Sequence, residues 1–338
     1  MNVSPIRLAV ADSPRAALDE RILRRLEQRG LVRPYLIREP DFSGIAAADF
    51  DALFVPELRT PSLRRLARRV HPEMPILLGS APLPRLRRRL LRCVDLLFYA
   101  SDAARTERLR CGIEPKRLFF LPPHVIDPAS LEEQRIRERR AGELRASLGI
   151  PDEERVLLFA GEFVEENAPG ILLESFLFRL RERELPNWTL ALAGSGPLEK
   201  ELRELAGTSP HVCFLPPGEE PAVLRRLGEL VVLPSKTERT GIRAAAVTEA
   251  MAASRPVLVT ENAGAALSLI RPGENGWSVD SAHPELWFDY IRTVSGEQLH
   301  RMGKAAYRAA SAWNSDAAAA SIELALKANP DFFPENGG

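Results

Sequence analysis

Between residues 156 and 236 the chain three times runs through a short, unbroken apolar stretch and then breaks into a turn of small or acidic residues. The first is Leu157-Leu158-Phe159-Ala160-Gly161-Glu162. The second is Leu190-Ala191-Leu192-Ala193-Gly194-Ser195-Gly196-Pro197, and the third is Val231-Val232-Leu233-Pro234-Ser235, with Glu238 and Glu249 beyond it. Runs this short and this continuous fit strands covered on both faces, because a half-solvated strand would alternate apolar with polar. Strands covered on both faces belong to parallel sheets wrapped by helices, and such sheets bind ligands at the carboxyl ends of their strands. The turns are therefore the first place to look for a site.

The same pattern extends over the whole chain. In the first half, strands are expected at 6–11, 33–37, 52–55, 75–78, 96–99 and 118–121. Amphipathic stretches at 15–29, 61–70, 84–93 and 103–111 read as the intervening helices. Pro122-Pro123 stops this first sheet, and the charged, helix-prone stretch 128–148 ends at Gly149, a natural helix stop. A second sheet begins near Arg155 and alternates with helices to about Val279. Helices at 284–294, 298–313 and 316–327 follow, and the Pro/Gly/Asn-rich end, 329–338, reads as a loose tail. The fold class expected is α/β with two doubly wound, Rossmann-like domains facing a cleft. The expected division is an N-terminal domain at 1–127, a connector at 128–150, a second domain at 151–312 and a closing helix at 313–330. A length of 338 residues suffices for two such cores.

Composition narrows the function. Hydrophobic residues make up 45% and charged residues 27%, as in soluble globular proteins. No run of eighteen apolar residues and no apolar leader is present, so a cytoplasmic location is expected. Cys93, Cys111 and Cys213 have neither disulfide nor metal spacing, which suits a reducing compartment, and the five histidines are scattered. No metal site is expected. The zero net charge hides an asymmetry: residues 1–127 carry about 23 Lys/Arg against about 15 Asp/Glu, and the remainder carries the opposite excess. The basic charge gathers at Arg64, Arg65, Arg68 and Arg69, and again at Arg85, Arg87, Arg88, Arg89 and Arg92. This is either a solvated helix surface or a contact with anionic membrane or another polyanion, as a peripheral protein of the inner membrane face would make. Nucleic acid is disfavoured, because no aromatic residues interleave the basic ones. A dinucleotide fingerprint is missing too: the turn after the first strand is Val10-Ala11-Asp12-Ser13-Pro14.

Several motifs then stand in one order. They are Phe159-Ala160-Gly161, Leu172-Leu173-Glu174-Ser175-Phe176, Leu192-Ala193-Gly194-Ser195-Gly196-Pro197-Leu198, Val232-Leu233-Pro234-Ser235, Glu249-Ala250-Met251-Ala252-Ala253, Arg255-Pro256-Val257-Leu258 and Pro272-Gly273-Glu274-Asn275-Gly276-Trp277. In that order they resemble the GT-B glycosyltransferases of the large family 4 group. Met302-Gly303-Lys304-Ala305-Ala306 and Trp313-Asn314 resemble the family's closing helices. Tyr99-Ala100-Ser101, Gly112 to Arg117 and Pro122-Pro123-His124-Val125 resemble the exit of its first domain. The resemblance covers about residues 94–325, strongly after Arg155, and implies a bacterial, nucleotide-sugar-dependent transferase.

It also implies roles for particular residues. Glu249 matches the carboxylate that grips the donor's ribose, since a carboxylate accepts two hydrogen bonds from a diol; otherwise it is an ordinary helix-surface acid. The family's second glutamate, which contacts the sugar being transferred and is the candidate catalytic residue, lies eight positions earlier, where this chain has Gly241. Glu238, eleven positions before Glu249, is the nearest substitute, displaced by about one helical turn. Gly161, Gly194, Ser195, Gly196 and Gly241 would let backbone N–H groups approach the nucleotide and phosphates. One departure cuts against this chemistry. Where the family carries an arginine and, five residues on, a lysine against the departing diphosphate, this chain has Glu162 and Asn167. In a partly dry cleft that exchange costs several kcal/mol of anion binding. Lys236, Arg239 and Arg243 are candidates to restore the cations, or are plain surface charges. Ser268 stands where a donor-site glutamate is common. In the first domain Asp12, Ser13 and Arg15 either face the cleft or cap a helix, and His124 sits at the hinge as a structural residue.

The function expected is transfer of a sugar from a nucleotide diphosphate sugar, UDP- or GDP-linked, to an unknown glycan, lipid-linked or protein acceptor. The resemblance implies retention of configuration and no cofactor or metal. Two rivals remain: a non-catalytic homologue serving as a binding or scaffold subunit, motivated by Glu162 and Asn167, and a nucleotide-sugar epimerase.

Overall fold

The computed structural model describes residues 5–12, 18–38, 41–57, 61–71, 73–80, 91–236, 240–280, 283 and 285–328. The chain divides into two units, Met1–Val125 with Trp313–Gly338, and Ile126–Ala312.

The first unit is built on six parallel strands: β1 (Ile6–Asp12), β2 (Val32–Arg38), β3 (Ala52–Val55), β4 (Ile76–Leu78), β5 (Leu96–Tyr99) and β6 (Leu118–Phe120). They run in the order β2-β1-β3-β4-β5-β6. The continuous apolar runs follow from two-sided burial. Ala9, Ala11, Leu53, Val55, Ile76, Leu78 and Leu97 point into one core. Their neighbours Leu8, Val10, Ala52, Phe54, Leu77, Leu96 and Phe98 point into the other. The helices α1 (Glu20–Arg29), α2 (Pro61–Val70) and α3 (Asp102–Arg110) belong to this unit. Helix α1 starts at Glu20, five residues after the sequence pattern places it, and is capped by the Asp19 side chain, which accepts from the Arg21 amide. The Asp12 carboxylate accepts from Arg38 at 3.2 Å, at the ends of the paired strands β1 and β2. Ser13 and Arg15 lie outside the described residues.

The C-terminal helix Ser315–Lys327 lays Ala318, Ala319, Ile322, Ala325 and Leu326 into the second of these cores. Its Glu323, nearly buried, meets Arg29 of α1 at 2.9 Å. On α2, Leu63, Leu66, Ala67 and Val70 are buried and the arginines take the opposite face. Arg69 is occupied there, donating to the carbonyls of Ser43 at 3.0 Å and Ile45 at 3.2 Å. Arg85, Arg87, Arg88 and Arg89, with most of the helix expected at 84–93, lie outside the described residues, as does the Arg92 side chain; Leu91–Cys93 forms a 3-10 turn.

The second unit repeats the plan with β7 (Arg155–Ala160), β8 (Trp188–Ala193), β9 (Val212–Phe214), β10 (Leu230–Leu233), β11 (Val257–Thr260) and β12 (Gly276–Val279). The order is β12-β11-β10-β7-β8-β9, all parallel. The stretch read as a connector is helix α4 (Leu131–Ser147), opened by a capping box between Ser130 and Glu133. It belongs to the second unit, tied to it by Arg137 and Glu220 at 2.9 Å and by Glu138 and Arg226 at 2.8 Å. Helices α5 (Pro169–Arg181), α6 (Glu199–Ala206), α7 (Pro221–Leu227), α8 (Thr240–Ala252), α9 (Glu285–Thr293) and α10 (Gly296–Ser311) complete the layers. From β7 the chain winds outward through β8 and β9, then returns to β10 on the other side. The switch point of this sheet therefore lies between β7 and β10, where a doubly wound sheet opens a crevice at its carboxyl edge.

Candidate functional site

At that switch point the turn after β7 meets the turn after β10. The Lys236 amide donates to the Glu166 carbonyl at 3.0 Å, the Ser235 hydroxyl to the same oxygen at 3.3 Å, and Thr260 reaches the Ser235 carbonyl at 3.3 Å. The Lys236 ammonium pairs with Glu165 at 2.6 Å, with both side chains largely in solvent. A cation thus stands at the crevice, held by a carboxylate of the neighbouring turn. Glu162 is exposed, and its carbonyl accepts from the Asn167 amide side chain at 2.9 Å, closing the turn on itself. Ala168 takes a left-handed conformation (φ 48°) that swings the chain into α5 at Pro169.

On its other flank the same turn packs against the turn after β8. Gly161 donates to the Ala193 carbonyl at 2.9 Å, Phe163 to the Ser195 carbonyl at 2.9 Å, and Leu198 to the Phe163 carbonyl at 3.1 Å. The two turns approach so closely that a Cβ on Gly194 would lie 1.9 Å from the Gly161 carbonyl oxygen, and one on Gly196 would lie 2.6 Å from that of Phe163. Backbone sterics alone therefore require glycine at both positions. Gly161 is different: a Cβ there would meet nothing closer than the Phe159 ring at 3.5 Å. Ser195 and Gly196 are exposed at the rim of this turn.

Glu249 lies elsewhere in the unit. It sits near the end of α8, one-third exposed, and its carboxylate pairs with Arg225 of α7, whose side chain is 14% exposed. Both border a cavity of about 350 Å³ that also meets Asp127, Arg137, Glu220, Arg226 and Tyr307. Burial pushes the Arg225 guanidinium below its usual range, and the adjacent Glu249 charge opposes that fall. Three other acids nearby are matched to other arginines: Glu220 to Arg137 at 2.9 Å and Arg140 at 3.3 Å, Glu219 to Arg140 at 3.0 Å, and Glu138 to Arg226 at 2.8 Å and Arg255 at 2.9 Å. Burial raises the Glu138 carboxyl, but Arg255 and Arg226 outweigh it and hold it below the ordinary glutamate value. Sequence reasoning missed Arg225. Nothing marks it among the chain's many arginines, since its partner is 24 residues away on another helix.

Of the other expected residues, Glu238 and Arg239 lie outside the described residues. Gly241 and Arg243 fall in the first turn of α8, where the backbone alone is described. Ser268 is exposed on the 3-10 segment Glu261–Leu269. His124, in the first unit, lies near enough to Asp19 to favour its ionised form. Among the described residues, no three His, Cys, Asp or Glu side chains are placed to hold a metal ion, and no helix is long and apolar enough to cross a membrane.

Comparison with known proteins places this architecture. The model of the glycosyl transferases group 1 family matches residues 141–309. The D-inositol 3-phosphate glycosyltransferase of Mycobacterium bovis (strain BCG / Pasteur 1173P2) is 31% identical over 249 residues, taking in 68% of this chain and 48% of the relative. The protein of the same name from Mycobacterium tuberculosis (strain ATCC 25618 / H37Rv) matches equally. The chain spans about half the length of these curated relatives. Among solved structures, HepE of Anabaena in complex with UDP-glucose superposes with a TM-score of 0.65 at 16% identity, over 95% of this chain and 99% of that one. A glycosyltransferase of Rickettsia africae gives 0.69 at 12% identity, over 98% and 100%. The lipopolysaccharide outer core galactosyltransferase WaaB gives 0.67 at 11%, over 96% and 100%. The fold is that of the GT-B glycosyltransferases, with two α/β units each built on a parallel six-stranded sheet.

Proposed function

The chain belongs to the glycosyl transferases group 1 family, and from that membership we propose that it transfers a sugar from a nucleotide diphosphate sugar to an acceptor hydroxyl. The transfer retains anomeric configuration and uses neither metal nor protein nucleophile. The glycosidic bond to the acceptor oxygen forms as the anomeric carbon's bond to the diphosphate breaks. The acceptor's proton passes to an oxygen of the departing phosphate. Support comes from the solved complexes of HepE with UDP-glucose and with UDP, which favour a UDP-linked donor over a GDP-linked one, and from the mycobacterial transferases.

The observation that carries the reading is Glu249 on the wall of a cavity of about 350 Å³, large enough for a nucleoside. Its carboxylate holds the ribose diol. Glu238 contacts the donor sugar. The turns at Gly161, Gly194–Gly196 and Gly241 face the nucleotide and phosphates, with Lys236 and Arg243 supplying positive charge in place of the cations lost at Glu162 and Asn167. The acceptor is a glycan, a lipid-linked sugar or a protein, brought to an anionic surface by the outer arginines of α2.

One observation favours the second reading, a binding or scaffold subunit without turnover. Lys236 is already paired with Glu165, so the diphosphate meets an acidic turn in which the compensating cation is engaged. Thermal stabilisation by UDP, GDP, ADP, TDP and their sugars decides between them. A ligand at one hundred times its dissociation constant adds about 2.7 kcal/mol. A selective shift followed by acceptor-dependent release of the nucleoside diphosphate supports transfer. A shift with no turnover on any acceptor, or no shift at all, supports the scaffold.

A further inference from the structure

The ion pair at Glu249 bears on how a donor enters. A guanidinium and a ribose diol are both hydrogen-bond donors, and they compete where they claim the same carboxylate oxygen, as Arg225 already claims Oε2 of Glu249. Arg225 is the more buried partner, 14% exposed against 33% for Glu249, so the pair is screened less than a surface pair. Two of the nearby acids, Glu220 and Glu138, are each bound to two other arginines. Leaving Glu249 therefore returns Arg225 to neither of these two carboxylates. The pair and the cavity lie wholly within the second unit, on α7 and α8.

We infer that Arg225 is a latch on Glu249: the guanidinium holds the carboxylate that the ribose must reach, and donor entry exchanges one hydrogen-bond donor for the other. The inference rests on the ribose-binding reading of Glu249. Its consequence is specific. The exchange falls on nucleotides that present the full diol, so the latch suppresses discrimination between a ribonucleotide and its 2′-deoxy counterpart. Arg225 is thus a specificity-determining residue, acting through Glu249 on the donor.

The test is calorimetric titration of the full chain with UDP, GDP and ADP and with their 2′-deoxy forms, for wild type, Arg225→Met, Arg225→Gln and Glu249→Gln. The ratio of ribo to deoxy affinity is the readout, because the loss of one positive charge weakens both diphosphates alike and cancels. Release of the latch raises that ratio about tenfold in Arg225→Met, and Glu249→Gln abolishes it. Arg225→Gln, which keeps a neutral donor in place, gives a smaller rise and stands in if the methionine variant melts early. An unchanged or lowered ratio in both Arg225 variants, with Glu249→Gln still abolishing it, overturns the latch and leaves the ribose reading standing. A ratio indifferent to Glu249→Gln overturns the ribose reading and the latch with it. Should wild type bind none of the six nucleotides, a measurable ribonucleotide affinity in an Arg225 variant supports the latch, and silence in both variants overturns it.

Discussion

Two places in the second unit carry the functional reading, and they are built by different physics. At the carboxyl edge of the sheet, Gly194 and Gly196 are fixed by backbone approaching backbone, so their identity follows from local chain geometry. At the cavity between α4, α7 and α8, the arrangement is made of long charged side chains that meet across helices distant in sequence. The first kind of site tolerates almost no change and is silent about ligands, because the steric demand alone explains it. The second kind tolerates many residues structurally, so a particular carboxylate facing a particular guanidinium carries information about binding.

The largest expected effect breaks the first site. Gly194→Ala places a Cβ against the Gly161 carbonyl oxygen at 1.9 Å and forces the two turns apart, costing about 3 kcal/mol in urea unfolding. Gly161→Ala is the control within the same turn, with its nearest contact an ordinary 3.5 Å, and should stay within about 1 kcal/mol of wild type. If Gly161→Ala nonetheless weakens nucleotide binding, that glycine serves the ligand while Gly194 serves the fold. Next in size is Glu249→Gln, which leaves the mostly buried Arg225 without its carboxylate. Because Glu249 is one-third exposed, the loss is about 1–2 kcal/mol, below that of a fully buried pair. A stability equal to wild type would mean that the cavity's arginine is solvated and that the second site is as indifferent to structure as a surface.

The contrast also explains what the sequence could tell. Apolar runs such as Leu157–Phe159 become strands because both faces are buried, and that requirement is written in consecutive residues. The glycine turns are equally local. Several Asp and Ser residues ahead of α1, Asp12, Ser13 and Asp19 among them, satisfy the same capping rule, and only packing makes Asp19 the cap at Glu20. Arg225 was invisible for a stronger reason: its role depends on the distance between α7 and α8, which no local pattern encodes. The turn at Glu162 and Asn167 lies between these cases. Its loss of cations was legible residue by residue, whereas the arrival of Lys236 beside Glu165 needed the topology of β7 and β10.

A smaller effect tests whether the charged side is coupled to folding. Glu138 bridges Arg226 and Arg255, and these hold its carboxyl below the ordinary value despite burial. A carboxyl depressed in the folded state contributes stability at pH above its unfolded value, near 4.5, and that contribution is lost as pH falls through the lower folded value. Melting curves from pH 7 to pH 3 should therefore show Glu138→Gln less stable than wild type at neutral pH, with the gap closing in acid. A gap constant with pH would assign the loss to packing.

The smallest expected change in stability is the most informative about function. Lys236 and Glu165 are 45% and 68% exposed, so Lys236→Met should move stability by less than about 1 kcal/mol. Solvent screens the pair, and Glu165 holds the ammonium loosely enough that a diphosphate can compete for it. A variant that melts like wild type but loses its preference for a nucleoside diphosphate over the corresponding nucleoside would make Lys236 the replacement for the cations missing at Glu162 and Asn167. If the preference survives, the phosphate end of the site is neutralised by other residues or not at all. The carboxyl edge of this sheet would then be scaffold, and recognition would rest on the Glu249 cavity.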